Sequence, residues 1–150
     1  MNTDAFPLPD PADAILRPFW TAAAQHRLEM PRCNDCSACN WYPAASCRHC
    51  GGSDFTWTSL APTGTLFSWA VVRRPLYAPY AAIAPYIPAL VELRDAPAVR
   101  LVTRLIDADP AALRMDMPVE IVFADLTYPF AADTPSSATG VIAPLARIPR

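Results

Sequence analysis

Cys33, Cys36, Cys39, Cys47 and Cys50 fall in one short stretch of the chain, and four of them form two Cys-x-x-Cys pairs. Thiolates three positions apart can grip one metal ion from a tight turn, and two such knuckles complete the tetrahedron that Zn²⁺ accepts. The double pair Cys33/Cys36 and Cys47/Cys50 therefore points to a single zinc ion. Cys39 also stands three residues after Cys36, so Cys36/Cys39 is the alternative first knuckle. Ten residues between knuckles suit a two-stranded ribbon better than seven, which favours Cys33/Cys36 and leaves Cys39 a spare thiol. An iron–sulfur reading of Cys33, Cys36 and Cys39 requires a fourth cysteine within about three residues, followed by proline. Cys47 comes later and precedes Arg48. A disulfide framework fits neither the odd number nor the spacing. His49, inside the second knuckle, reads as a solvent-facing side chain rather than a ligand.

A ribbon of this size cannot bury enough apolar surface to fold alone, so the metal stands in for a core and its role is structural. The 150 residues then leave room for one small barrel beside the ribbon. Charged residues make up 17% of the chain and the net charge is −2, which argues against a surface built for phosphate backbones and makes nucleic acid an unfavoured partner. All twelve basic residues are arginines, so no lysine can form a Schiff base or a phosphate-loop contact. The first ten residues are acidic and proline-bearing where a secretory signal needs a basic and then an apolar segment. A cytoplasmic location, with thiols reduced and free to bind metal, is expected. The apolar stretch 77–93 is broken by Pro79, Pro85 and Pro88 and does not read as a membrane span.

The elements that must position the cysteines follow from local pattern. Asp10-Pro11 predicts a helix start, which Pro18 stops or restarts, and a second short helix is expected over 19–25 with Phe19, Trp20, Ala23 and Ala24 on one face. Residues 27–32 read as extended, Gly51-Gly52 as a turn and 55–58 as a returning strand. Strands are then expected over 65–73, 86–93, 99–106 and 119–123, with a helical turn capped by Asp109 before the last of these. A fifth strand is placed near 140–145, after a loop over 131–139. Short strands, one late helical turn and no strand–helix alternation predict a mainly β chain: N-terminal helices, a rubredoxin-like zinc ribbon, then a five-stranded OB-fold barrel. The expected division is 1–26 helical segment, 27–60 ribbon, 61–130 barrel and 131–150 loop with C-terminal strand or tail.

In this order of parts the chain resembles a family of two-domain proteins, zinc ribbon plus OB-fold, long classed as of unknown function and associated with acyl-CoA metabolism. The resemblance is carried by Phe19-Trp20, residues 28–36, Tyr42-Pro43, residues 47–51, Gly64-Thr65, residues 88–93 and Met117-Pro118-Val119. It implies an accessory subunit of a thiolase-like enzyme: a thiolase, an acyltransferase or a steroid side-chain aldolase, whose reactive groups belong to the partner. Cys39 is extra to the family pattern. Asp116 stands where glycine usually precedes Met-Pro-Val, and aspartate adopts positive φ less readily.

Catalysis by the chain itself is not expected. Its two histidines, His26 and His49, sit in no catalytic motif, and four thiolates on one zinc leave no open coordination position. Binding is the better expectation. Arg73 and Arg74 are candidates for a CoA phosphate, because guanidinium groups fork onto phosphate oxygens. Trp69, Tyr77, Tyr80 and Tyr86 border the proline-rich loop and either line a groove for an acyl or pantetheine arm or belong to the core. Phe19 and Trp20 either seal ribbon to barrel or lie under a partner subunit. The competing functions are a nucleic-acid-binding ribbon and barrel, and a free-standing acyl-CoA-binding protein.

Overall fold

The structure is a computed structural model describing residues 8–126 and 141–149. Among these residues the one α-helix, α1, spans Arg17–Ala24. Strands β1 (Leu28–Cys33) and β2 (Phe55–Leu60) form a two-stranded antiparallel ribbon with Leu28 opposite Leu60 and Cys33 opposite Phe55. The five later strands are β3 (Thr63–Trp69), β4 (Ile87–Leu93), β5 (Ala96–Ile106), β6 (Pro118–Asp125) and β7 (Ile142–Arg147). They close a barrel in the order β3-β4-β5-β7-β6, with β6 returning to β3 and β5 running parallel to β7. This is the expected fold class, and closure leaves the sheet no free edge.

The N-terminal expectation needs correction. Asp10 does not start a helix: its carboxylate accepts the Ala12 N–H at 2.8 Å and closes a turn, as Asp13 does with the N–H groups of Ile15 and Leu16. Residues 11–16 are turns or irregular, and α1 begins only at Arg17. Pro18 sits in its first turn, where a missing N–H costs nothing, so the proline opens this helix rather than breaking it. The helix lays Phe19, Ala22 and Ala23 into the core.

Barrel strands follow period-two alternation. Along β4, Ile87, Ala89, Val91 and Leu93 point inward while Pro88, Leu90 and Glu92 face outward. Strand β3 starts and stops earlier than the sequence suggests, and beyond it the chain keeps pace with β4 through the Ala70 N–H donating to the Pro88 carbonyl at 3.1 Å and a bridge between Val72 and Tyr86. Gly64 allows β3 its close approach to β4: a Cβ there would lie 2.1 Å from the Glu92 carbonyl oxygen. The expected turn before β6 is present as a short 3₁₀ helix, Pro110–Ala112, with Asp109 accepting the Ala111 N–H. A second 3₁₀ helix, Ala78–Ile83, lies in the proline-rich loop, where the sequence signals only a loop. Asp116 takes the left-handed conformation that glycine favours, φ 62°, so the turn is kept despite the substitution. Its N–H is held by the Leu66 carbonyl at 2.9 Å. The last strand runs two residues beyond the expected 140–145, while the loop expected over 131–139 lies outside the described residues.

Candidate functional site

The two knuckles are built alike. In the first, the Cys33 N–H donates to the Ala38 carbonyl and the Ser37 N–H returns to the Cys33 carbonyl, both at 2.9 Å. In the second, Cys47 and Gly52 make the first bond at 2.7 Å, and Gly51 and Cys47 the second at 2.9 Å. Each turn is closed by a left-handed residue, Ser37 at φ 63° and Gly51 at φ 80°. This shared geometry brings the sulfurs of Cys33, Cys36, Cys47 and Cys50 within 4.8 Å of one another. Cys33 to Cys50 and Cys36 to Cys47 are each 3.6 Å apart. A tetrahedron with metal–sulfur bonds of about 2.3 Å has edges of about 3.8 Å, close to these two separations, so the donor set suits zinc.

Cys39 is outside this group. It pairs with Arg32 in an isolated bridge and packs against the core, where burial raises its thiol pKa against the opposing pull of Arg32. Burial also resists ionisation of Cys47. The N–H groups of His49 and Cys50, the Asn40 amide and the Cys36 thiol outweigh it and bring Cys47 down to about 6. Cys50 accepts from the Gly52 N–H, which favours its thiolate, yet the neighbouring sulfurs and burial push it up to about 12. Sulfurs this close share negative charge poorly until a cation joins them. His49 contributes its backbone N–H to the Cys47 sulfur at 3.4 Å while its side chain is exposed. His26, just beyond α1, stacks on Phe123 at 5.8 Å between ring centroids.

A cleft of about 340 Å³ lies where helix, ribbon and barrel meet. Phe19 and Trp20 of α1, Trp41 and Tyr42 of the inter-knuckle loop, and Tyr80 and Tyr86 of the proline-rich segment form its aromatic walls. Phe19 is the hub, 5.0 Å from the Trp20 ring and 4.7 Å from that of Trp41. Strands β5 and β7 make the barrel side, stitched by the Thr103 hydroxyl donating to the Pro144 carbonyl at 2.8 Å. Arg104 is the one charged residue among the described lining, half-buried, and burial lowers its pKa. The described lining holds no cysteine, histidine or carboxylate.

Of the residues singled out from sequence, Phe19, Trp20, Tyr80 and Tyr86 meet in this cleft. Tyr77 lies outside its lining, 44% exposed, with its ring 6.0 Å from that of Tyr80. Arg73 and Arg74 are exposed and also outside the lining, beside the fully exposed Leu76. Trp69 packs against the barrel core. Sequence reading gave no site role to Trp41, Arg104 or Pro144, and named Tyr42 only among the residues that carry the family resemblance. The adjacent aromatics between the knuckles were a usable signal. Arg104, which shares the outward register of β5 with Val102, carried none.

Residues 20–56 match the rubredoxin-like zinc ribbon domain of ChsH2, and residues 57–124 match the C-terminal OB-fold domain of ChsH2. The chain belongs to the ChsH2 family. The resemblance read from the sequence is thus borne out, and the four-cysteine centre described above is that family's ribbon. A probable enoyl-CoA hydratase alpha subunit of Thermomonospora curvata is 38% identical over 113 residues, 74% of this chain. Those residues cover 34% of the relative, so the chain spans about a third of that protein's length. Among solved structures, the Ltp2-ChsH2(DUF35) aldolase aligns over 93% of this chain and 98% of its own, with TM-score 0.74 and 28% identity. A DUF35 protein of unknown function from Sulfolobus solfataricus shares the fold, with TM-score 0.58 and 10% identity over 91% of this chain and 87% of its own. No helix among the described residues is long and apolar enough to cross a membrane.

Proposed function

We propose that the chain is a non-catalytic subunit that docks on a thiolase-like enzyme and helps form its acyl-CoA site. The observation that carries this reading is the near full-length likeness to a chain of the Ltp2-ChsH2(DUF35) aldolase. The cleft's composition supports it, since the described lining offers aromatic walls and one guanidinium but no nucleophile beside a base. In this reading zinc is held by Cys33, Cys36, Cys47 and Cys50 and serves the fold. The cleft receives the apolar end of an acyl group between its aromatic walls. The exposed segment with Arg73, Arg74, Leu76 and Tyr77 meets the partner subunit or the phosphates of CoA. The complex would work in the cytoplasm.

The test is co-purification. Tagged chain taken from its native cells should carry a thiolase-like subunit in fixed stoichiometry at moderate salt. The cleft also favours a second reading, a free-standing acyl-CoA-binding protein. Titration of the zinc-loaded chain alone with decanoyl-CoA separates the two, because micromolar affinity without a partner supports the second.

A further inference from the structure

Asn40 is the one buried polar residue among the described residues, 2% exposed. A buried amide is costly unless every group is paired, and this one is fully engaged. Its Nδ2 donates to the Ala38 carbonyl at 3.0 Å and to the Cys47 sulfur at 3.4 Å, and its Oδ1 accepts the Arg48 N–H at 3.0 Å. Its backbone N–H is held by the Pro31 carbonyl of β1 at 2.9 Å. One residue therefore ties the ribbon strand, the end of the first knuckle and the start of the second. The next residue, Trp41, forms a wall of the cleft, between Phe19 at 4.7 Å and Tyr42 at 4.8 Å.

We propose that Asn40 is a positioning residue that couples the metal centre to the aromatic cleft: the Cys47 sulfur sets the Asn40 amide, and Asn40 sets Trp41. The proposal deepens the reading of the cleft as the functional surface, although its test needs neither a partner nor an acyl ligand. Zinc gathers the sulfurs as thiolates, and an amide N–H to a thiolate is charge-assisted, stronger than one to a thiol. Groups of this kind around a metal ligand typically change metal affinity by about 10- to 100-fold when removed. Coupling is reciprocal, so whatever loosens the wall must also loosen the metal. Metal occupancy thereby becomes a condition for the shape of the cleft.

The experiment follows zinc release from the full chain to the chelator pyridylazoresorcinol, together with tryptophan emission. Asn40→Asp keeps an oxygen for the Arg48 N–H but replaces the donor to sulfur with a negative oxygen. It should release zinc on the order of tenfold faster than wild type. Trp41→Leu leaves the thiols and Asn40 in place and removes the ring clamped on Phe19. It should speed release severalfold and abolish most of the emission change seen when wild type loses zinc. Asp109→Ala, which loosens a capped turn of the barrel, should release zinc at the wild-type rate. Wild-type release from either Asn40→Asp or Trp41→Leu would overturn the proposal, as would equal acceleration in Asp109→Ala. If Asn40→Asp does not fold, Trp41→Leu and Asp109→Ala decide the matter.

Discussion

Ribbon and barrel are stabilised by different means. Between residues 34 and 54 only Asn40 and Cys47 are buried, one held by hydrogen bonds and the other a metal-ligand candidate. Strand β4 alone buries four apolar side chains, Ile87, Ala89, Val91 and Leu93, beside Leu66 of β3 and Leu101 of β5. The metal's binding free energy is folding free energy for the ribbon, whereas the barrel depends on apolar area removed from water. Damage to one centre should therefore leave a different signature from damage to the other.

Cys33→Ser or Cys47→Ser breaks the contrast most sharply. Each should cost the chain its zinc, measured by elemental analysis, and unfold the ribbon while barrel strands persist in far-ultraviolet circular dichroism. Structural zinc in small domains contributes about 10–16 kcal/mol at neutral pH, more than a ribbon without a core can replace. On the barrel side, Leu66→Ala removes a fully buried side chain and should lower stability by about 2–5 kcal/mol in denaturant unfolding, with zinc content unchanged. Gly64→Ala forces a Cβ against the Glu92 carbonyl and should cost about 1–3 kcal/mol, seen as a lower melting temperature. Asp116→Gly relieves a left-handed aspartate and should raise stability by about 0.5–1 kcal/mol by the same measurement. The smallest effect belongs to Cys39→Ser, which should retain a full zinc complement and remove one thiol that reacts with disulfide reagents in the zinc-loaded protein. Loss of zinc from that variant would move the first knuckle to Cys36 and Cys39.

The same contrast explains what could be read from the sequence. A metal knuckle is local: two cysteines three apart, closed by Ser37 in one case and Gly51 in the other, declare themselves within six residues. Barrel strands are nearly as legible, because inward residues alternate along β4 and the apolar pattern continues through β5. Capping signals are weaker. Asp10-Pro11 serves an Asx turn as well as a helix start, and only the packing of Phe19, Ala22 and Ala23 decides where α1 begins. The cleft is the least legible feature, since its walls come from α1, the inter-knuckle loop, β4, β5 and β7. Tyr80 and Tyr86 could be suspected from the proline-rich loop beside them. That Trp41 would join them from a loop forty residues earlier depends on how the ribbon folds against the barrel.

As a subunit of a thiolase-like enzyme, the role we propose, this chain should not travel alone. Affinity purification of the tagged protein from its native cells, at low and moderate salt, with mass spectrometry of the bound material, is the test. A thiolase-like subunit in fixed stoichiometry, surviving moderate salt, is what that role predicts. A chain that elutes alone, or with nucleic acid that salt removes, would contradict it.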